Sequence, residues 1–342
     1  MNLDTINTIQ EIKVMDHSKG EEVRGVFVLK KKATKKAKND STYLSLEYGD
    51  RTGNFHCFCF GDNPIYSRIE SIDEGSPVFV SLLTGVYQGR FSPRLTETRL
   101  LTEEELANPE LSALLVETSL ENPEDLWTNF QEFVDEITHE VLKTTVRLAI
   151  GEIEADFRST PAAVSMHHAY RHGLLEHTVH MARACKALLP FYTEVDPSLA
   201  MAGLLLHDIG KVVEYEGELS VSKSKTGILQ GHVALGYRMA RKAGMIAKLE
   251  PELLERLEHI ILSHQGELEW GAAAMAATPE AVFVSMIDNL DARMGMVQYA
   301  LRHRNEDKPF SDYLPGLKAP LLTQPLPSVE LSAEDLQDSM GL

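Results

Sequence analysis

The stretch LLLHDIGKVVEY, residues Leu204 to Tyr215, sets a histidine and an aspartate side by side at the end of an apolar run. An imidazole and a carboxylate taken out of water need a hydrogen-bonding or metal partner. Asp196 is a good N-cap, Pro197 suits the first helical position, and Gly210 is placed to end the helix, so His207 and Asp208 fall in its last turn. The negative end of a helix favours a cation, and a metal ion is the partner this arrangement suggests most directly.

Other ligands are then expected on other helices, pointing inward. His177 shares an apolar stripe with Leu174, Met181, Ala184 and Leu188, with His180 as its rival. His264 continues the stripe Leu253, Leu257, Ile260, whereas His259 sits among charged residues. His232 opens the helix GHVALGYRMARKAG, and Asp288 follows Val284 on an otherwise apolar helix, with Asp291 as its competitor. Singly, each is an ordinary hydrogen-bonded core residue. Together, core-facing groups of metal-ligand type on successive helices point to a shared ion. Mixed imidazole and carboxylate donors suit Mn²⁺ first, with Fe²⁺ or Mg²⁺ as alternatives.

The elements that must hold these residues divide the chain. Its 342 residues, 43% hydrophobic and 25% charged, leave room for two soluble domains. Residues 1–102 read as about five short strands, rich in β-branched and aromatic residues and punctuated by Gly-Asp, Thr-Gly and Gln-Gly, which predicts an antiparallel barrel of the OB type. Residues 103–125 form an acidic linker whose Asn-Pro pairs start new segments, and 126–306 carry the three-and-four apolar spacing of an all-α bundle. The Pro-rich residues 307–342 read as an extended arm. The predicted fold class is thus multidomain β plus α.

The formal charge of −18 argues against a protein coated in nucleic acid, yet leaves room for a local basic groove. Between the first two strands, KKKATKKAKND places Lys30, Lys31, Lys32, Lys35, Lys36 and Lys38 on a basic loop, with Tyr43, Phe55, Phe58 and Tyr87 on neighbouring strands. Lysines along phosphates beside rings that stack bases suit a single strand; the competing reading is a solvated loop beside core aromatics. Cys57 and Cys59, two apart on one strand face, are expected to be packing residues. The N-terminus has no apolar signal core and no segment has a membrane span's length, so a cytoplasmic location without membrane contact is expected.

The motifs HHAYRHGLLEHT, LLHDIGK, GHVALG, LSHQGELEWG and IDNLDA together resemble HD-domain metal-dependent phosphohydrolases, and within them the YhaM-type 3′-to-5′ exoribonucleases, to about residue 300. The resemblance implies an OB domain joined to an HD domain and single-stranded RNA (or DNA) degraded from its 3′ end. It implies His177, His207, Asp208 and Asp288 at a first ion, with Asp208 bridging to a second at His232 and His264. Gln265 stands where relatives commonly have a second histidine, which weakens the second site and leaves one or two ions. Lys211 would meet a phosphate oxygen or neutralise the helix end. His172 and Arg171 would contact substrate or stabilise a turn, Glu176 would orient a water or a ligand or lie at the surface, and Trp270 would stack a base or close a core edge. A homo-oligomer is also expected. The alternatives are an HD-type nucleotide or cyclic-nucleotide phosphohydrolase with a regulatory OB-like domain, and an RNA-binding protein with a degenerate HD site.

Overall fold

A computed structural model of the chain describes residues 5–37, 40–119, 121–163, 170–217, 219–302, 304 and 308–326. Five strands, β1 (Glu22–Lys36), β2 (Thr42–Asp50), β3 (Gly53–Phe60), β4 (Pro77–Leu83) and β5 (Arg94–Leu100), form one sheet in the order β3-β2-β1-β4-β5, antiparallel throughout. The alternation of β3 separates its faces: Phe55, Cys57 and Cys59 are buried with Phe27, Leu44 and Leu46, while His56, Phe58 and Phe60 face outward. Both cysteines are free and buried, as packing residues should be. Gln88 and Gly89, both at positive φ, turn the small hairpin between β4 and β5.

The lysine-rich stretch is not a loop. β1 runs on to Lys36, because Lys31 to Lys36 find ladder partners from Glu47 to Thr42 on β2. The backbone hydrogen bonds this ladder satisfies outweigh the mutual repulsion of lysines that alternate between faces. Lys38 lies outside the described residues.

Asn108 and Asn122 cap the next helices as their Asn-Pro pairs predict, each side chain accepting a backbone N–H with Pro109 or Pro123 in the first turn. The main helices that follow are α1 (Pro123–Glu136), α2 (Glu140–Gly151), α3 (Gly173–Leu188), α4 (Pro197–Leu206), α5 (Lys225–Ala247), α6 (Pro251–Ser263) and α7 (Pro279–Arg302). One core joins Leu126, Phe130, Val146, Leu174, Leu205 and Ile260. Every residue of α4 from Ser198 to Leu206 is buried, consistent with its being apolar on all sides. A helix that crosses the core delivers whatever follows it into the interior. None of the described helices is long and apolar enough to cross a membrane.

Residues Leu290–Leu342 count as a separate compact unit. Within it, Phe310–Leu314 pairs antiparallel with Ala319–Leu322, so part of the expected arm is a hairpin. Residues 307 and 327–342 lie outside the described residues.

Candidate metal centre

The doublet sits where α4 ends. Asp196 caps the start of α4, its side chain accepting the Leu199 N–H at 2.8 Å, and His207 is the C-cap. Gly210 does not end this helix as a left-handed residue. Its φ is −64°, and the chain continues through a turn into a short helix, Lys211–Glu214. The reason for glycine is space: an added Cβ would lie 2.0 Å from the carbonyl oxygen of His232.

Asp208 lies between two sets of histidines. Its Oδ2 is 3.3 Å from Nε2 of His207 and 3.7 Å from Nε2 of His177. Its Oδ1 is 3.5 Å from Nε2 of both His232 and His264. Asp288 completes the first set, its Oδ1 lying 3.3 Å from Nε2 of His177. The ligand atoms of His177, His207 and Asp288 all lie within 4.8 Å of one another, and so do those of Asp208, His232 and His264. His177, His207, Asp208 and His264 are buried, whereas His232 keeps some exposure.

Local backbone geometry fixes how the rings present themselves. Nδ1 of His207 donates to the carbonyl of Leu204 at 2.6 Å, and Nδ1 of His264 donates to that of Ile261 at 2.7 Å. Each uses a carbonyl that the end of its helix leaves free, so the lone pair of the neutral ring resides on Nε2, facing Asp208. His232 follows a break in α5, where Gly231 adopts a φ of 71°. It begins the second half of that helix, and its Nδ1 donates to Oε2 of Glu214 at 2.8 Å.

The donor set fits a divalent cation. Among the described residues, Oδ1 of Asp208 is buried without a hydrogen-bond partner, a costly condition unless a positive charge arrives there. Burial pushes the Asp208 carboxyl up, but Lys211 and then His207 outweigh it and hold the group well below the ordinary carboxylate range. Burial likewise raises Asp288, while the hydrogen bond with His177, ahead of the other imidazole neighbours, brings it down to about 2. Both carboxylates are therefore ionised at neutral pH. Imidazole nitrogens with carboxylate oxygens suit Mn²⁺ or Fe²⁺ better than a soft ion.

Lys211 is buried, with Nζ 2.5 Å from Oδ2 of Asp208, so its charge is directed into the centre. Gln265 is closer than the sequence indicates: its amide nitrogen donates to Nε2 of His232 at 3.0 Å and of His264 at 3.2 Å. His180 is outside, donating to Glu121 at 2.6 Å, and His259 accepts from the Ala277 N–H. Glu176 is buried, accepting from Ser119 at 2.6 Å and from Tyr170, so it is not at the surface.

His172 adopts a φ of 69° ahead of α3 and donates from Nδ1 to the carbonyl of Arg158 at 2.6 Å, a contact that holds the chain turn. The backbone of Arg171 pairs with Glu117 and Ser119 while its side chain is exposed. Trp270 lies in a single turn at 48% exposure, too open to close a core edge.

On the sheet, Tyr43 packs against Phe58 and Phe60 with ring centroids 5.6 and 5.7 Å apart, and both phenylalanines are half exposed. With Tyr87 and Arg94 they line a groove of about 1100 Å³. Lys35 pairs across the ladder with Tyr43. Lys31 is exposed beside Glu47, but Lys30 is partly buried, its pKa lowered by burial against the opposing effects of Glu47 and Asp50. Lys32 is used internally, capping the carbonyls of Glu70 and Ile72. Phe55 is in the core. Phe60 is the aromatic the sequence reading missed; its alternation with Phe58 was the available signal.

Residues 174–293 match the family model of the HD domain. Over 290 residues, 84% of this chain and 90% of the relative, the sequence is 29% identical to the 3′-5′ exoribonuclease YhaM of Bacillus subtilis (strain 168). No solved structure matches the chain at a significant level.

Proposed function

We propose, from the premise that this chain carries an HD domain and is a hydrolase acting on phosphodiester bonds, that it is a metal-dependent exonuclease removing nucleotides from the 3′ end of single-stranded RNA. The observation that carries the reading is Asp208, with one oxygen toward His177 and His207 and the other toward His232 and His264. The RNA preference and the direction of attack rest on the likeness to the exoribonuclease.

His177, His207, Asp208 and Asp288 would hold the first ion, Mn²⁺ by preference, and Asp208 would share a second with His232 and His264. A divalent ion so held supplies an acidified water and offsets charge on the phosphoryl oxygens. The remaining work falls to the protein. Backbone carbonyls orient His207 and His264, Lys211 holds Asp208 in its charged form, and its ammonium adds attraction for an anionic phosphodiester. Gln265 occupies the lone pairs of His232 and His264, which disfavours the second ion relative to the first.

We read residues 1–102 as an OB-type barrel. The strand order supports this, as do the approach of β3 and β5 to within 8 Å at Cα level and the short helix Tyr66–Glu70 between β3 and β4. Its outward rings, Tyr43, Phe58 and Phe60, with exposed Lys31 and Lys35, would bind the strand by stacking and charge.

Incubation with Mn²⁺ and 5′-end-labelled single-stranded RNA tests the proposal. A ladder of progressively shorter labelled products supports it. Turnover of free nucleotides alone would replace it with a small-molecule phosphohydrolase, and absence of hydrolysis despite bound metal would leave an RNA-binding protein.

A further inference from the structure

Glu214 is a buried carboxylate not claimed by the proposed ligand set. It ends the short helix that follows Asp208, and both its oxygens are engaged: Oε2 accepts from Nδ1 of His232 and Oε1 from Nζ of Lys223, each at 2.8 Å. Its backbone is also fixed. The Ser224 N–H donates to the Glu214 carbonyl at 2.8 Å, and α5 passes so close that a Cβ on Gly227 would lie 2.3 Å from that oxygen. The carboxylate is thus held rigidly against one edge of the His232 ring.

That edge decides what the other edge can do. A neutral imidazole carries one proton, and only its unprotonated nitrogen can ligate a cation. Nε2 of His232 faces Asp208 at 3.5 Å. His207 and His264 keep their protons on Nδ1 through carbonyls at their own helix ends, but His232 follows the break at Gly231 and uses a side chain instead. A carboxylate acceptor also makes the ring a stronger donor to a cation than a neutral carbonyl does.

We infer that Glu214 is a positioning residue that sets the tautomer and orientation of His232, so that the His232 side of the centre takes a divalent cation only while the Glu214 side chain accepts the Nδ1 proton. Lys223 balances the charge of Glu214 at Oε1, the oxygen that His232 does not use. The inference rests on the reading of Asp208, His232 and His264 as ligands.

Glu214→Gln keeps the shape and removes the charge. The full-length metal-free protein and its variant would be labelled with ¹⁵N-histidine, and the tautomer of His232 read by NMR. The two proteins would then be titrated with Mn²⁺ while the EPR signal of the free ion is followed. The expected result is an Nδ1-protonated His232 in the parent and a mixed or reversed tautomer in Glu214→Gln. The weaker class of Mn²⁺ sites should lose roughly 10- to 100-fold in affinity, with the tighter class unchanged. An unchanged tautomer with unchanged Mn²⁺ affinities overturns the inference. If the parent binds one ion only, the two-ion reading fails by itself. Weaker binding of that single ion in Glu214→Gln then keeps the role of Glu214, and unaltered binding removes it.

Discussion

Gly210 and His232 meet backbone to backbone: a methyl group on Gly210 would fall 2.0 Å from the His232 carbonyl oxygen and 2.6 Å from the amide nitrogen of Gly236. Neither neighbour is a flexible side chain that could turn aside. The segment bearing Asp208 and the helix bearing His232 are brought together at this point. Gly210→Ala should therefore destabilise the protein by about 1–3 kcal/mol, as overpacking does, and loosen the His232 side of the centre. Thermal unfolding checks this, and an unchanged melting temperature would sink the packing account.

Asp208→Ala removes the group that faces both histidine sets. Hydrolysis should fall by more than roughly 100-fold, beyond the effect of losing a residue that merely supports a ligand, while single-strand binding persists. Asp208→Asn, which preserves the shape around Lys211, should be equally inactive. Gel-shift and turnover assays on the same preparation decide the matter; retained hydrolysis in both variants would exclude Asp208 from the chemistry.

The outward rings of the sheet should contribute to binding rather than bond cleavage. Phe58→Ala and Phe60→Ala should each weaken single-stranded RNA binding by about 1–3 kcal/mol and leave hydrolysis of a dinucleotide unchanged. Lys31 and Lys35 changed to Ala together should make binding less sensitive to salt. An unaltered slope of affinity against salt would show that these lysines do not meet phosphates, whereas Lys32, engaged with backbone carbonyls, should affect folding instead.

Arg99 and Glu105 form a paired contact at 2.8 and 2.9 Å. The hydrogen bonds from Arg99 bring the Glu105 carboxyl from its ordinary 4.5 down to about 2. A carboxyl whose folded-state value is depressed adds stability above its unfolded value, and that contribution disappears as pH falls from about 4.5 to 2. Glu105→Gln should cost about 1 kcal/mol or less at pH 7, because solvent screens the pair. Urea melts of both proteins should converge toward pH 2, and a gap independent of pH would assign the effect to something other than ionisation.

The inward placement of His177 and His264 was legible because each lies on a simple local pattern. The stripe through Leu174 and Met181 turns His177 inward, and that through Leu257 and Ile260 does the same for His264. Asn108 and Asn122 likewise announced their helices. What was not legible depends on partners distant in sequence. Lys30 to Lys36 read as a loop until β2 supplied its edge, Gly210 read as a helix stop until His232 was placed against it, and Glu214 carried no spacing signal. An acidic residue inside the apolar run VVEY was the one hint that Glu214 would be buried.

The carbonyls that hold His207 and His264 bear on how the centre can change over generations. Leu204 and Ile261 can each be exchanged for another residue, at some cost in packing, and the peptide oxygen that receives the imidazole proton remains. No single-codon change deletes it. Glu214 has no such protection, since almost any replacement removes the acceptor that His232 uses. Half of the centre is inherited with the helix backbone itself, and drift that erodes or retunes the site will enter through the other half.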